Sequence, residues 1–177
     1  MSESNAAPGL RLARPDDEPF LLTMLFYAAH ADTEPGAHPE HLLTQPALSR
    51  YVVGFGRPGD LGVVAEGTNG PTGAAWLRLL TGEERGYGWI DDAIPELAIA
   101  TAPALIGRGL GTRMLRELIE HARGHYPAMS LSVRQDNPAR RLYLRLGFSP
   151  VKEVTNRVGG ISDTMILRFD GRGTAAG

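Results

Sequence analysis

Between an apolar stretch, PELAIATAPAL (Pro95–Leu105), and an amphipathic run, GTRMLRELIEHAR (Gly111–Arg123), the chain places IGRGLGTR, with glycines at 107, 109 and 111. A turn from strand into helix needs one glycine at most. Three in alternation keep a backbone bare so that something can approach it. The first turn of a helix leaves about four amide hydrogens unpaired and carries partial positive charge, which suits a phosphate. Two nucleotide signatures can be tested on spacing. A Walker loop needs lysine and then a hydroxyl residue after its last glycine, whereas Gly111 is followed by Thr112 and Arg113. A dinucleotide fingerprint needs two residues between its second and third glycines, where this chain has only Leu110. Neither fits. A plain tight turn stays open as the alternative.

The pattern around this junction is that of a mixed α/β domain. LRLAR, from Leu10, alternates like a short strand, and RPDDEPF supplies a helix start with Asp16 as the expected N-cap. Phe20, Leu21, Met24, Leu25 and Ala28 recur at helical spacing and predict a helix to about Ala29. HADTEPGAHPEHLL breaks that pattern and reads as a loop; LTQPALSRYVVGF holds a weaker second helix. LGVVAEG and AAWLRLL form a hairpin through TNGPTG, and the polar connection TGEERGYGWIDDAI leads to a third strand, PELAIATA. Leu110, Met114, Leu118 and Ala122 then mark one helix face, followed by the strand MSLSV. NPARRLYLRLGF predicts a short helix capped by Asn137 and stopped at Gly147, and SPVKEVTNRV and ISDTMILRF are the last two strands. The order gives an antiparallel front with a crossover helix in the middle.

Composition narrows the function classes. The 177 residues suit one domain, expected over 9–169, with disordered ends at 1–8 and 170–177. A net charge of −2 makes no electrostatic case for nucleic acid or an anionic membrane. The chain has no cysteine, which excludes disulfides, thiolate metal sites and a cysteine nucleophile. The stretch FLLTMLFYAA is about half a membrane span, and MSESNAAPGL lacks the regions of a signal peptide. A cytoplasmic protein is expected.

The glycine junction and the segment after it resemble the two core motifs of the GNAT superfamily of acyl-CoA-dependent N-acyltransferases. The first, Gln/Arg-x-x-Gly-x-Gly/Ala, maps onto Ile106, Gly107, Arg108, Gly109, Leu110 and Gly111. The second, Asn-x-x-Ala-x-x-Leu-Tyr-x-x-x-Gly-Phe, maps onto Asn137, Ala139, Leu142, Tyr143, Gly147 and Phe148, with one residue fewer between Asn137 and Ala139 than the motif has. Both occur in order within residues 95–150, and the flanking elements extend the resemblance over roughly 9–169. One departure stands out: Ile106 replaces the polar residue usually found beside the phosphates. Backbone amides are indifferent to that change.

The resemblance implies a mixed, mostly antiparallel central sheet with helices on both faces, splayed where CoA enters. It implies acetyl-CoA as cosubstrate, no metal, a primary amine as acceptor, and is compatible with a homodimer. The pyrophosphate would lie on the amides of Gly107 to Thr112, with charge added by Arg108. Asn137 and Arg140 join the cofactor-facing set. In the family the strand before the loop bulges and pairs with the pantetheine arm, a role that falls on the backbones of Ile99 and Thr101. An amide there would also meet the developing oxyanion, where one donor can be worth about 3 kcal/mol.

Tyr143 is then the candidate general acid, a phenol of pKa about 10 facing a thiolate whose conjugate acid lies near 8.5. On spacing alone it could equally be a core aromatic. Glu96 matches a position where many family members keep a glutamate that works as a base through water; an edge carboxylate facing solvent is the alternative. Asp91 and Asp92 come next. His38 and His41 have the spacing of a metal pair, but the sequence supplies no evident third ligand. Asp32, Glu34, Glu83, Glu84, Asp91 and Asp92, with Tyr27, Tyr87 and Trp89, fall in the segments that wall the acceptor in the family, and would suit a cationic amine. The rival from another class is a non-catalytic acyl-CoA-binding module, against which Tyr143 argues, since a binder has no use for a phenol at the sulfur.

Overall fold

The computed structural model describes residues 7–156 and 158–169. The expectations for residues 1–6 and 170–177 therefore lie outside the described residues. Seven strands form one sheet: β1 (Gly9–Leu12), β2 (Leu61–Gly67), β3 (Gly70–Arg78), β4 (Glu96–Thr101), β5 (Ala128–Arg134), β6 (Ser149–Thr155) and β7 (Ile161–Arg168). Their order is β1-β2-β3-β4-β5-β7-β6, antiparallel throughout except for β4 against β5. The helices are α1 (Glu18–Ala28), α2 (Pro46–Ser49), α3 (Leu110–Ala122) and α4 (Ala139–Arg145).

The continuous apolar runs of β2 and β3 follow from helices on both faces. Val63, Ala75 and Leu77 meet Met114, Leu115 and Leu118 of α3, while Val64, Ala74 and Trp76 meet Leu21, Met24 and Leu25 of α1. Period-2 alternation sends neighbouring residues to opposite cores, so both sets must be apolar. This is the mixed sheet, covered on both sides, that the sequence leads one to expect.

Several boundaries differ. A 3-10 turn, Pro15–Asp17, precedes α1, so Asp17 rather than Asp16 stands at the N-cap position; its carboxylate caps no amide of α1 and accepts instead from the Arg14 amide at 2.7 Å and from Arg11 at 2.8 Å. The weaker second helix shrinks to α2: its first residues, Leu43 and Thr44, end a 3-10 helix that begins at Pro39, and Pro46, which has no amide hydrogen, starts the four-residue helix. The penultimate strand ends at Thr155, where Asn156 closes a turn by accepting from the amides of Val158 and Gly160. One strong interaction carried no sequence signal. Arg78, 1% exposed, pairs with Asp60 at 2.7 Å and donates to the carbonyls of Arg50 and Val53, tying the segment after α2 to β3.

Candidate active site

β4 and β5 share one register pair, Glu96↔Ser130, while β3 and β4 stay in register from Arg78↔Glu96 to Gly73↔Thr101. Beyond Glu96 the β5-facing edge of β4 is unpaired, and half-buried Ile99 and Thr101 lie along it. A sheet opened in this way offers backbone donors and acceptors to an extended chain laid beside β4. The bulge expected here does not interrupt β4 against β3. The opening comes from the divergence of β4 and β5.

The glycine loop follows directly. Gly107 and Gly109 both have φ 78°, a left-handed conformation that explains why glycine is required. A Cβ at either position would meet nothing within 4 Å, so the two glycines border open space. Gly109 is the N-cap of α3 and no side chain caps that helix, which leaves the amides of its first turn facing outward. A plain turn accounts for the backbone angles. The open space and bare amides additionally fit a phosphate. Gly111 does a different job, sitting 4.0 Å (by its absent Cβ) from Leu142 of α4. Leu110 is buried in the core, so only its amide is available; Thr112 is half-buried, Arg108 is exposed, and Ile106 is 71% exposed.

Tyr143 lies on α4, packed edge-to-face on Phe148 with ring centroids 5.7 Å apart. Phe148 is fixed in turn by the chain reversal at Gly147 (φ 99°), where its amide donates to the Tyr143 carbonyl at 3.0 Å. Burial pushes the Tyr143 phenol up to about 12. Among the described residues only Ser130 Oγ and Thr164 Oγ1 are both sealed from solvent and unpartnered. Among the described residues none hydrogen-bonds the Tyr143 hydroxyl, and the residue as a whole is 7% exposed.

The other cofactor-facing candidates are partly occupied. Asn137 Oδ1 accepts from the Ala139 amide at 2.9 Å, the helix-capping role expected of it, and its Nδ2 lies 3.2 Å from His30 Nε2. Arg140 gives its Nε to Asp163 at 2.7 Å, which leaves only its terminal nitrogens for a ligand. The donors Gln135 and Arg140 hold Asp163 below the usual carboxylate range, against its burial.

Glu96 is the main departure from expectation. Of its two readings, a base working through water or an edge carboxylate facing solvent, the structure does not have the second: Glu96 is 1% exposed, and both oxygens are taken. Oε1 accepts from Tyr51 Oη at 2.7 Å and from the Gly88 amide at 2.8 Å; Oε2 accepts from the Gly86 amide at 2.9 Å. Burial raises its pKa, and the three donors only partly offset that. A Cβ on Gly86 would come within 2.5 Å of the Glu96 carboxylate, and one on Gly88 within 2.7 Å of the β5 backbone at Leu131. The two glycines of RGYGW thus let the loop close over Glu96, a spacing that was visible in the sequence. Asp91 and Asp92 sit on the outside of this loop: Asp91 accepts from the Ala93 amide, and Asp92 accepts from Trp89 Nε1 at 3.0 Å. Arg85 stacks on Trp89 at 3.8 Å and pairs with Asp92, closing an exposed trio. His38 and His41 cap the turn they flank through their Nδ1 atoms. Glu34 lines a cavity of about 170 Å³ between α1 and the segment after it, together with Phe26, His41 and Leu42.

The chain matches the Acetyltransferase (GNAT) family over residues 23–148. It is 48% identical over 75 residues to N-alpha-acetyltransferase RimI of Mycobacterium tuberculosis, a match covering 41% of this chain and 46% of that protein. The chain thus spans about half the length of the curated relative it matches. In fold it is similar to yncA from Salmonella typhimurium, solved with its cofactor acetyl-CoA: TM-score 0.66, 21% identity, covering 96% of this chain and 98% of that one. It is likewise similar to the ribosomal-protein-S18-alanine N-acetyltransferase from Escherichia coli, with TM-score 0.65, 18% identity and coverage of 94% and 97%. The open edge of β4, the bare first turn of α3 and the tyrosine of α4 are thus set in a chain that belongs to the GNAT acetyltransferase family.

Proposed function

We propose that the protein transfers an acetyl group from acetyl-CoA to a primary amine by direct attack within a ternary complex. The observation that carries this reading is the continuity of the opening beside β4 with the bare helix turn at Gly107–Thr112. Bound there, acetyl-CoA supplies the thioester. The amides of the α3 first turn hold the pyrophosphate and the backbones of Ile99 and Thr101 hold the pantetheine arm. The amine nitrogen bonds to the acyl carbon as the C–S bond breaks, a backbone donor on the same edge meets charge on the acyl oxygen, Tyr143 gives its proton to the departing sulfur, and the proton shed by the nitrogen passes through water to restore the phenol. Arg108 supplies charge from solvent. A phenol raised by burial is a weaker acid than usual, so its contribution depends on being placed before the sulfur leaves.

In this reading Glu96 acts by holding the loop of residues 82–95 in place as a wall of the acceptor site. Its oxygens are filled, and a water-mediated path from it to an amine would require the loop to open. The acceptor therefore enters as the free amine. The name of the RimI relative makes a peptide α-amine the first acceptor to try; the acids and aromatics of the two wall segments favour a cationic one. Titration with acetyl-CoA, then an amine panel including an alanyl peptide and a polyamine, tests the proposal by thiol release and product mass. Amine-dependent thiol release is expected. Binding without turnover on any amine would favour a non-catalytic acyl-CoA-binding module.

A further inference from the structure

His30 is the one non-glycine among the described residues with a left-handed backbone, at φ 54° and ψ 30°. A side chain is uncommon there, and such a conformation persists where surrounding contacts fix it. The contact in question is long-range. His30 Nε2 lies 3.2 Å from Asn137 Nδ2, 107 residues along the chain.

The roles of the two groups follow from their neighbours. Asn137 Oδ1 accepts from the Ala139 amide at 2.9 Å. A backbone amide can only donate, so the side-chain NH2 of Asn137 must be the group that faces His30. That NH2 also only donates, so His30 Nε2 must accept, and the imidazole must be neutral with its proton on Nδ1. An imidazolium would set donor against donor, and the contact would be lost.

The position of the contact gives it a consequence. α1 rests on β4 and α4 against β5, so His30 and Asn137 bridge the two strands that part. His30 opens the segment of residues 30–45, and Asn137 caps the helix that carries Tyr143. We infer that His30 is a positioning residue of the transfer reaction: its neutral imidazole latches the segment after α1 onto the start of α4, and protonation opens that latch. The latch stands on the geometry above; its part in transfer rests on the proposed function.

The charged surroundings are few. Asp136, from the loop before α4, lies near His30 but is engaged by Arg134 at 2.9 Å. On its own segment Asp32 follows by two residues, the Tyr27 carbonyl accepts from the His30 amide, and Thr33 Oγ1 donates to the His30 carbonyl. Asp32 and Asp136 bring negative charge to the two segments that meet at His30, and Arg134 positive charge. A proton added at Nε2 would replace the acceptor with a donor, so the latch is closed only while the imidazole is neutral.

The test uses the full chain and two variants. His30→Gln keeps an acceptor for Asn137 but does not titrate, and His30→Ala removes the acceptor. Hydrogen exchange at residues 30–45 is measured at about pH 5.5 and pH 8, corrected for intrinsic rates, with imidazole nitrogen NMR to read the tautomer. Wild type is expected to show the Nδ1–H tautomer and slow exchange at the higher pH, and exchange several-fold faster at the lower. His30→Gln should stay slow at both, and His30→Ala fast at both. With an alanyl peptide as acceptor, His30→Ala should raise its KM about tenfold and leave acetyl-CoA affinity unchanged, and His30→Gln should restore KM. Exchange that ignores pH in wild type, or a His30→Gln variant that behaves like His30→Ala, overturns the latch. Titration that finds no acetyl-CoA binding to wild type, with the latch intact, overturns the transferase reading and the positioning role together.

Discussion

The Tyr51 hydroxyl donates to Glu96 Oε1 at 2.7 Å and accepts from the Tyr87 amide at 2.8 Å, so the loop over the site hangs from one buried pair. Tyr51→Phe removes both bonds at once and leaves a buried carboxylate and an amide each short of a partner. A loss of about 1–3 kcal/mol in stability is expected, together with faster hydrogen exchange at residues 82–95. Denaturant unfolding and exchange mass spectrometry check this.

Glu96 gives that network a pH dependence. Its folded pKa is raised by burial, so its contribution to stability is fully present below the unfolded value, about 4.3, and is lost as pH rises through the folded one. Glu96→Gln does not titrate. It should be less stable than wild type, since its NH2 would face amide donors, but the gap should narrow as pH climbs from about 4 towards neutrality. A gap that widens over that range contradicts the buried, uncompensated carboxylate.

The glycine loop separates ligand effects from folding effects. Gly109→Val meets no protein atom but forces a β-branched side chain into a left-handed backbone and into the space assigned to phosphate. Acetyl-CoA affinity should fall at least tenfold while the far-UV spectrum stays native. Ile106→Arg should tighten binding at low salt and lose that gain at high salt, because position 106 is exposed beside the loop. Unchanged affinity in both variants would mean that the loop is only a turn.

Asp60→Ala should be among the most damaging single changes in the chain. It leaves the guanidinium of Arg78, 1% exposed, without its counterion, and breaking a buried pair in this way costs about 3–5 kcal/mol. Thermal or urea unfolding reads it directly. The paired change of Asp60 and Arg78 to apolar residues should recover much of the loss.

These cases show what the sequence could and could not reveal. The strands and α3 were legible because apolar periodicity is local, and the glycine loop because alternating glycines have few uses. Asn137 and Tyr143 stand out in the sequence only through the motif they resemble. What stayed hidden was long-range: nothing near Tyr51 marks it as the partner of Glu96, 45 residues on. His30 met Asn137 only once β4 and β5 were placed. Glu96 reads from sequence as a base working through water or as an edge carboxylate facing solvent, and the loop that buries it reads only as a polar connection. The glycines of RGYGW were the available clue.

If the acceptor enters as the free amine, log kcat/KM should rise with pH and level at the amine's own pKa. Two amines of different basicity should therefore break at two different pH values. A break at one fixed pH for both amines, abolished in Glu96→Gln, would return Glu96 to the role of base. Burial raises the Tyr143 phenol, so an alkaline limb from it lies above the ordinary tyrosine range near 10.

The most direct test of the account is single-turnover acetyl transfer by wild type and Tyr143→Phe, with acetyl-CoA saturating and an accepted amine. The substitution keeps the ring that packs on Phe148 and removes only the hydroxyl. The account predicts amine-dependent transfer by wild type and a rate lower by roughly 10²-fold in the variant, at unchanged acetyl-CoA affinity, with the loss shrinking for an acyl donor whose thiol is more acidic. Equal rates in the two proteins would contradict Tyr143 as the proton donor, and no transfer by wild type to any amine would contradict the proposed reaction itself.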